Sequence, residues 1–88
     1  MSDTYEQVKQ AIIDVMARTD DEAAEMKTTL TPQTNLQADL DADSLDLVEI
    51  MQEIEDRFSV TISDEQAEKL VTIGDAATAI DASVAAKA

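Results

Sequence analysis

The chain has 88 residues, of which 20 are acidic and 6 are basic, and its formal net charge at pH 7 is −14. This balance argues against a nucleic-acid partner, because a phosphate backbone requires a cationic surface. The sequence has no Cys and no His. It can therefore form no disulfide or thiolate metal site, and it lacks the usual general base near neutral pH.

Length and composition predict one small helical domain over residues 1–88. The sequence contains one Gly, one Pro and only two aromatic residues, Tyr5 and Phe58. This favours helices with an aliphatic core over a sheet. No window approaches a membrane-spanning length, and the N-terminus has no signal-peptide pattern. We therefore expect a cytoplasmic protein that acts as a monomer.

The first predicted helix runs from about Asp3 to Arg18. Its apolar residues recur at helical spacing and form one stripe, which consists of Tyr5, Val8, Ile12, Val15 and Met16. Residues 19–42 form a long connection. Its first part, TDDEAAEMK, predicts either an extension of the helix or a separate turn, and its second part predicts a loop. We expect three leucines to anchor this loop: Leu30, Leu36 and Leu40.

The second long helix begins at Ser44 and ends near Phe58. Asp43 is a favourable N-cap, and Asp46 three residues later completes a capping-box pattern. Ser44 is then the first helical residue. The partial positive charge and free N–H groups of a helix N-terminus favour a phosphate attached at this position.

This helix has two different faces. One is an apolar stripe of Leu47, Ile50, Met51, Ile54 and Phe58. The other is an acidic stripe of Asp46, Glu49, Glu53 and Asp56. Leu45 and Val48 lie beside the acidic face and away from the core stripe. Eight acids and no base lie between Asp39 and Asp56, so this surface suits a cationic partner.

Two further helices complete the predicted fold. Ser63 and Gln66 form a capping-box pattern for a short helix that continues to Leu70. Thr72 then caps a last helix, with Asp75 three residues later. The predicted inner stripe of this helix consists of Ile73, Ala76, Ala77, Ile80 and Val84. The chain therefore predicts an all-α four-helix bundle with three long helices and one short one.

Residues 40–45, LDADSL, and the acidic amphipathic helix that follows them resemble the phosphopantetheine attachment region of acyl carrier proteins of the fatty-acid-synthesis type. The string LTPQTNL at residues 30–36 resembles the equivalent loop of that family. The resemblance implies a 4′-phosphopantetheine arm attached covalently to Ser44, with Asp43 as a second residue of the cofactor-binding site. Asp41 departs from the family, which often has Gly there, and Gln52 replaces an often apolar residue. The segment 20–27 is longer than is usual.

The resemblance also implies a function without catalysis by this chain. A separate phosphopantetheinyl transferase would attach the arm, and the arm would hold growing acyl chains as thioesters. The carrier would deliver them to the enzymes of dissociated (type II) fatty acid biosynthesis: synthases, reductases, dehydratases and acyltransferases with basic docking patches. We expect docking through Leu45, Asp46, Val48, Glu49, Glu53 and Asp56. We expect the acyl chain to enter the bundle among Leu47, Ile50, Met51, Ile54 and Ile62.

Four alternatives remain at the level of sequence. A carrier dedicated to a polyketide or a specialised lipid would share the same motif. A calcium-binding module is suggested by Asp39, Asp41 and Asp43, but an EF-hand requires Gly where Ser44 stands and a bidentate Glu where Ile50 stands. An enzyme would have to rely on exposed carboxylate pairs, which keep ordinary pKa values. A purely structural helical adaptor would leave the position of Ser44 incidental.

Overall fold

A computed structural model describes the backbone of residues 3–87 and the side chains of that range except 64 and 85–87. The described range contains five helices and no strand. In chain order they are α1 (Asp3–Met16), α2 (Asp20–Thr29), α3 (Ser44–Phe58), α4 (Asp64–Glu68) and α5 (Ile73–Lys87). The prediction of an all-α bundle is confirmed, and α2 is an additional helix within the long connection.

Helix α1 is the centre of the bundle, because it packs against α2, α3 and α5. Its buried residues are Tyr5, Val8, Ala11, Ile12 and Ile13. Val15 and Met16 of the predicted stripe are only partly buried and lie at the edge of the core. The hydrophobic stripe read from the sequence is therefore the face that joins α1 to the other long helices.

The first part of the long connection forms a separate helix and does not extend α1. Thr19 is the N-cap of α2, and its Oγ1 accepts a hydrogen bond of 3.1 Å from the backbone N–H of Glu22. The carboxylate of Glu22 in turn accepts one of 2.9 Å from the backbone N–H of Arg18. These two contacts start a new helix at the N-cap Thr19 and leave α1 two residues shorter than predicted. Helix α2 has no buried residue, and Ala23 and Met26 pack partly against the core.

The loop before α3 is attached to the beginning of α5 by three backbone hydrogen bonds. Gly74 donates to Pro32 over 2.8 Å, Ile73 donates to Thr34 over 3.1 Å, and Leu36 donates to Val71 over 2.9 Å. As predicted, leucines anchor this loop: Leu30 and Leu36 are buried, and Leu40 packs partly against the core. The first half of the loop that leads to α3 is therefore held against the beginning of α5.

The two C-terminal helices begin with the predicted caps. Ser63 and Gln66 form a capping box at α4, and Thr72 accepts a hydrogen bond of 3.1 Å from the N–H of Asp75 at α5. The inner stripe of α5 is buried as far as Ile80, but Val84 is 39% exposed, contrary to the prediction. Val84 lies beyond Asp81, which contacts Thr4 in the first turn of α1. Past that point α5 has less of α1 to pack against.

Candidate functional site

Ser44 is the first residue of α3, and its side chain is exposed. The helix begins with the predicted capping box. The N–H of Asp46 donates to Oδ1 of Asp43 over 2.9 Å, and the N–H of Asp43 donates to Oδ2 of Asp46 over 3.2 Å. The backbone of Asp43 is extended, with φ −90° and ψ −177°. These two acids therefore fix the point at which the helix begins, one residue before the serine.

The capping box leaves two backbone donors open beside Ser44. The first N–H groups of a helix have no acceptor within the helix, and the box satisfies those of Asp43 and Asp46 only. In the part of the chain that the structure describes, the N–H groups of Ser44 and Leu45 have no acceptor, and the Ser44 hydroxyl has no hydrogen-bond partner. An exposed nucleophilic oxygen thus lies beside two free donors and the positive end of a helix dipole.

A left-handed residue turns the chain into this helix. Asp41 has φ 55°, a conformation in which Asp is tolerated better than most side chains. The following residue, Ala42, is buried, with 8% of its surface exposed. Asp39 closes the preceding turn, because its carboxylate accepts a hydrogen bond of 2.7 Å from the N–H of Asn35. The turn therefore explains how this chain accommodates Asp at a position where acyl carrier proteins, which the sequence resembles, often have Gly.

Ser44 lies at the edge of a cleft of about 540 Å³. The cleft runs between α3, the loop at residues 35–37, and the segment from α4 to α5. Its apolar lining includes Leu47, Val48, Met51, Ile62, Leu70 and Val71, and its polar lining includes Gln37, Gln52, Glu55 and Glu68. A cleft of this size with a mainly apolar wall can enclose a small organic group.

The cleft includes only part of the predicted acyl pocket. Leu47, Met51 and Ile62 line it, whereas Ile50 and Ile54 do not. Both isoleucines have 0% exposure and are the buried residues of α3, which packs against α1. The apolar stripe of α3 is therefore divided between two tasks, with one edge in the core and the other edge facing the cleft.

A hydrogen bond joins the far end of the cleft to α3. Oε2 of Glu55 accepts from the backbone N–H of Ile62 over 2.8 Å, and both residues line the cleft. This contact fixes the segment that leads into α4 against the last turns of α3. It was not predicted from the sequence, where Glu55 belongs to neither stripe.

The predicted docking residues differ in how much of each is available to a partner. Leu45 is 66% exposed and Val48 is 51% exposed, although both are large apolar residues. Glu49 and Asp56 are exposed and have no hydrogen bond or ion pair among the described residues. In contrast, Asp46 is held in the capping box, and Glu53 accepts a hydrogen bond of 3.0 Å from Nε of Arg57.

Arg57 links two helices and was not identified from the sequence. It binds Asp14 of α1 and Glu53 of α3. The hydrogen bonds from Arg57 and then Gln10 hold the pKa of Asp14 below its usual value, and the hydrogen bond to Asp14 raises the pKa of Arg57. The spacing of Glu53 and Arg57 could have indicated half of this contact. Asp14 is 43 positions away, so no local pattern points to it.

Within the residues described, no group of three or more acidic, His or Cys side chains is arranged to hold a metal ion. None of the described helices has both the length and the apolar character needed to cross a membrane.

Comparison with known proteins identifies the family of this chain. Residues 6–80 match the family model for the phosphopantetheine attachment site. A solution structure assigned to an acyl carrier protein from Anaplasma phagocytophilum is 38% identical, with a TM-score of 0.75 over 89% of this chain and 84% of that chain. The acyl carrier protein from Enterococcus faecalis is also 38% identical, with a TM-score of 0.66 over 90% of this chain and 96% of that chain. The chain belongs to the acyl carrier protein family.

An acyl carrier protein is a carrier and not an enzyme, and its prosthetic group is 4′-phosphopantetheine. Carriers of this family interact with a phosphopantetheinyl transferase and with synthetic enzymes. The residues at the start of α3 fit such a group. The Ser44 hydroxyl is exposed, two N–H donors beside it are open, and a cleft with a mainly apolar wall begins at the same residue.

Proposed function

We propose that Ser44 carries the phosphopantetheine arm and that this carrier serves dissociated (type II) fatty acid biosynthesis. The observation that supports the attachment residue is the position of an exposed serine hydroxyl at the capped start of α3 and at the edge of the cleft. When attached, the arm supplies a terminal thiol, which this chain lacks because it has no Cys. Asp43 is proposed to belong to the cofactor-binding site because its capping box fixes the start of the helix at the serine.

The residues around Ser44 can bind a phosphate but cannot activate the hydroxyl. The N–H groups of Ser44 and Leu45 and the helix dipole stabilise the negative charge of a phosphodiester. The carboxylate of the preceding residue, Asp43, already accepts a hydrogen bond from the N–H of Asp46. No His is present in the sequence. The base that removes the serine proton must therefore come from the transferase.

Intact-mass analysis tests the attachment residue. Incubation with coenzyme A and a broad-specificity phosphopantetheinyl transferase should add one arm to the wild-type protein and none to Ser44→Ala. The matched control is Ser83→Ala on α5, which should accept one arm. Modification of the Ser44→Ala protein would show that another residue carries the group.

We also propose that partner enzymes dock on Leu45, Asp46, Val48, Glu49, Glu53 and Asp56. The support is the exposure of Leu45 and Val48 beside free carboxylates. Glu49 and Asp56 are expected to attract a basic patch most strongly, because Asp46 and Glu53 already have partners within the chain. Glu49→Lys should weaken transferase binding and flatten its salt dependence. Glu25→Lys makes the same change of charge on α2 and should not. Equal effects of the two variants would indicate that only net charge matters.

The cargo is proposed to occupy the cleft beside Ser44, against Leu47, Met51 and Ile62. Ile50 and Ile54 could contribute only if the core opened, because both are fully buried. Attachment of an acyl group should therefore shift the NMR signals of the methyl groups of Leu47, Met51 and Ile62. Shifts of equal size at Ile50 and Ile54 would indicate that the acyl chain enters the core instead.

The pathway is tested by the cargo itself. Protein purified from its native cells and analysed by intact mass should carry saturated acyl chains or their intermediates, which differ by two-carbon units. A carrier dedicated to a polyketide or a specialised lipid would instead carry one oxygen-rich or branched group. The cargo masses therefore distinguish the two pathways.

A further inference from the structure

Two exposed valines from different elements line the cleft. Val48 belongs to α3 and is 51% exposed, and Val71 belongs to the connection between α4 and α5 and is 49% exposed. Both line the cleft. Leu45, which is 66% exposed, follows Ser44 directly in the chain. Three of the four exposed large apolar residues in the described range therefore surround the site, and the fourth, Val84, lies on α5.

The backbone of Val71 is hydrogen-bonded on both sides. Its carbonyl accepts a hydrogen bond of 2.9 Å from the N–H of Leu36, and its own N–H donates to Oδ2 of Asp75 over 3.3 Å. Both backbone polar groups of Val71 are thus satisfied by neighbours that are themselves anchored. A backbone that is already ordered loses little conformational entropy when a partner covers the residue.

We infer that the docking surface extends across the cleft to Val71, so that a docked partner covers the mouth from both sides. The partner that fits is a protein surface with an apolar centre and a rim of Lys or Arg. The charged residues that line the cleft are Glu55 and Glu68, and no base lines it. Glu49 and Asp56 add exposed acids on the α3 side. Lys69 is the single base among residues 64–75 and is exposed.

Charge selects this occupant over the other apolar surfaces that could cover the mouth. A second copy of the chain would bring together two molecules that each carry a net charge of −14, and like charges across an interface are costly. An anionic membrane surface would be repelled for the same reason. A basic protein surface is attracted by the acids and gains apolar contact with Val48 and Val71.

This inference rests on the proposed function, since the partner used as a probe is a broad-specificity phosphopantetheinyl transferase. Binding is measured by titrating the transferase into Ser44→Ala protein, which cannot be modified at the proposed residue. The backbone amide signals of Val48 and Val71 should both shift, while that of Val84 should not. Shifts confined to α3 would overturn the inference. Modification of the Ser44→Ala protein would instead overturn the attachment residue, so the two failures are distinguishable.

Two substitutions at Val71 separate apolar contact from charge. Val71→Thr keeps the shape and adds a hydroxyl, and Val71→Asp adds a charge that should strengthen attraction to a basic partner. We expect both to raise the dissociation constant, Val71→Asp by about tenfold, which corresponds to the loss of one well-buried contact. Val84→Asp makes the same change on α5 and should leave the constant unchanged.

Unchanged or tighter binding by Val71→Asp would overturn the inference, because it would show that charge alone governs this side of the cleft. Self-association of the wild-type protein that Val71→Asp abolishes, measured by analytical ultracentrifugation, would also overturn it in favour of a second copy. Circular dichroism checks that each variant keeps the helical spectrum. Since Val71 is half exposed, we expect it to be kept.

Discussion

Arg57 of α3 reaches across the bundle to Asp14 of α1, and the same guanidinium binds Glu53 one turn earlier on its own helix. The contact joins the helix that carries Ser44 to the central helix of the core. It also places a positive charge directly after a run of eight acids that contains no base. Arg57 therefore has two effects: it connects α1 to α3, and it neutralises part of the acidic face.

Replacement of Arg57 should make the protein less stable at neutral pH but not in acid. The pKa of Asp14 is lowered in the folded protein, mainly by the hydrogen bond from Arg57. A lowered folded-state pKa gives stability that is present above the unfolded value, about 3.9 for Asp, and is lost as pH falls through the folded value. Because the side chains of Arg57 and Asp14 are 30% and 44% exposed, the loss at pH 7 should be at most about 1 kcal/mol.

Urea unfolding of Arg57→Met from pH 7 to pH 3 measures this effect. The difference in unfolding free energy from wild type should shrink toward zero as Asp14 is protonated. Arg18→Met is the matched control, because it gives the same net charge (−14 − 1 = −15) and Arg18 has no side-chain partner among the described residues. A difference that is independent of pH would argue that the stem of Arg57, and not its charge, stabilises α3.

Gly74→Ala should destabilise the protein although Gly74 is helical. Alanine usually stabilises a helix by about 1 kcal/mol relative to glycine. Here a Cβ would lie 2.9 Å from the carbonyl oxygen of Pro32, which accepts the hydrogen bond of the Gly74 N–H. The added methyl group would push the loop away from α5, at a cost of about 1–3 kcal/mol.

Thermal or urea unfolding gives the sign of that change. The controls are Thr78→Ala and Thr78→Gly, at an exposed position of the same helix. There the Ala variant should be the more stable of the two. If Ala is also favoured at position 74, the loop does not press against α5 as closely as the structure indicates.

The helix that carries Ser44 was predictable because its determinants are local. Asp43 and Asp46 form a cap within four residues, and an apolar stripe with helical period follows. Helix α2 was left undecided for the opposite reason. It has no buried stripe, and its start depends on two side chains at an otherwise polar junction: Thr19 accepts from the N–H of Glu22, and Glu22 accepts from the N–H of Arg18.

Features that depend on contacts between distant elements could not be predicted. The stripe on α3 gave no indication that Ile50 and Ile54 face the core while Leu47 and Met51 face the cleft, because both sets are apolar. The exposure of Val71 depends on its backbone hydrogen bond to Leu36, 35 positions away. In each case the sequence indicated that the residue is apolar but not what lies opposite it.

Asp41→Gly should stabilise the turn that precedes Ser44. Asp41 has φ 55°, a conformation that costs non-glycine residues about 1–2 kcal/mol and Asp somewhat less. Glycine loses more backbone entropy on folding, which offsets part of the gain. Asp41→Ala removes the same charge but disfavours this conformation, so we expect the Gly variant to exceed the Ala variant by about 1 kcal/mol in unfolding free energy.

Asp41→Asn separates charge from backbone conformation. The three variants share a net charge of −13 (−14 + 1), and Asn tolerates the left-handed region. The stability of Asp41→Asn should therefore lie between those of Asp41→Gly and Asp41→Ala. Equal stability of all three would mean that the removal of charge accounts for the whole change.

Monovalent salt should raise the melting temperature of this protein. Twenty acids and six bases are brought together on folding, and a compact state with such imbalance is destabilised by self-repulsion. Salt screens that repulsion, with a Debye length of about 10 Å at 0.1 M. Each kcal/mol of repulsion that is relieved should raise the melting temperature by about 4–8 °C in a domain of this size.

Differential scanning calorimetry at about 20–500 mM NaCl covers both weak and strong screening of the charges. The variant Glu49→Gln, Asp56→Asn removes two acids that have no partner among the described residues. It should melt at a higher temperature in low salt and respond less to NaCl. The pair of Arg57 with Asp14 opposes the trend, because salt weakens attraction as well. A melting temperature that falls with NaCl would mean that such attractive pairs outweigh the repulsion among the free acids.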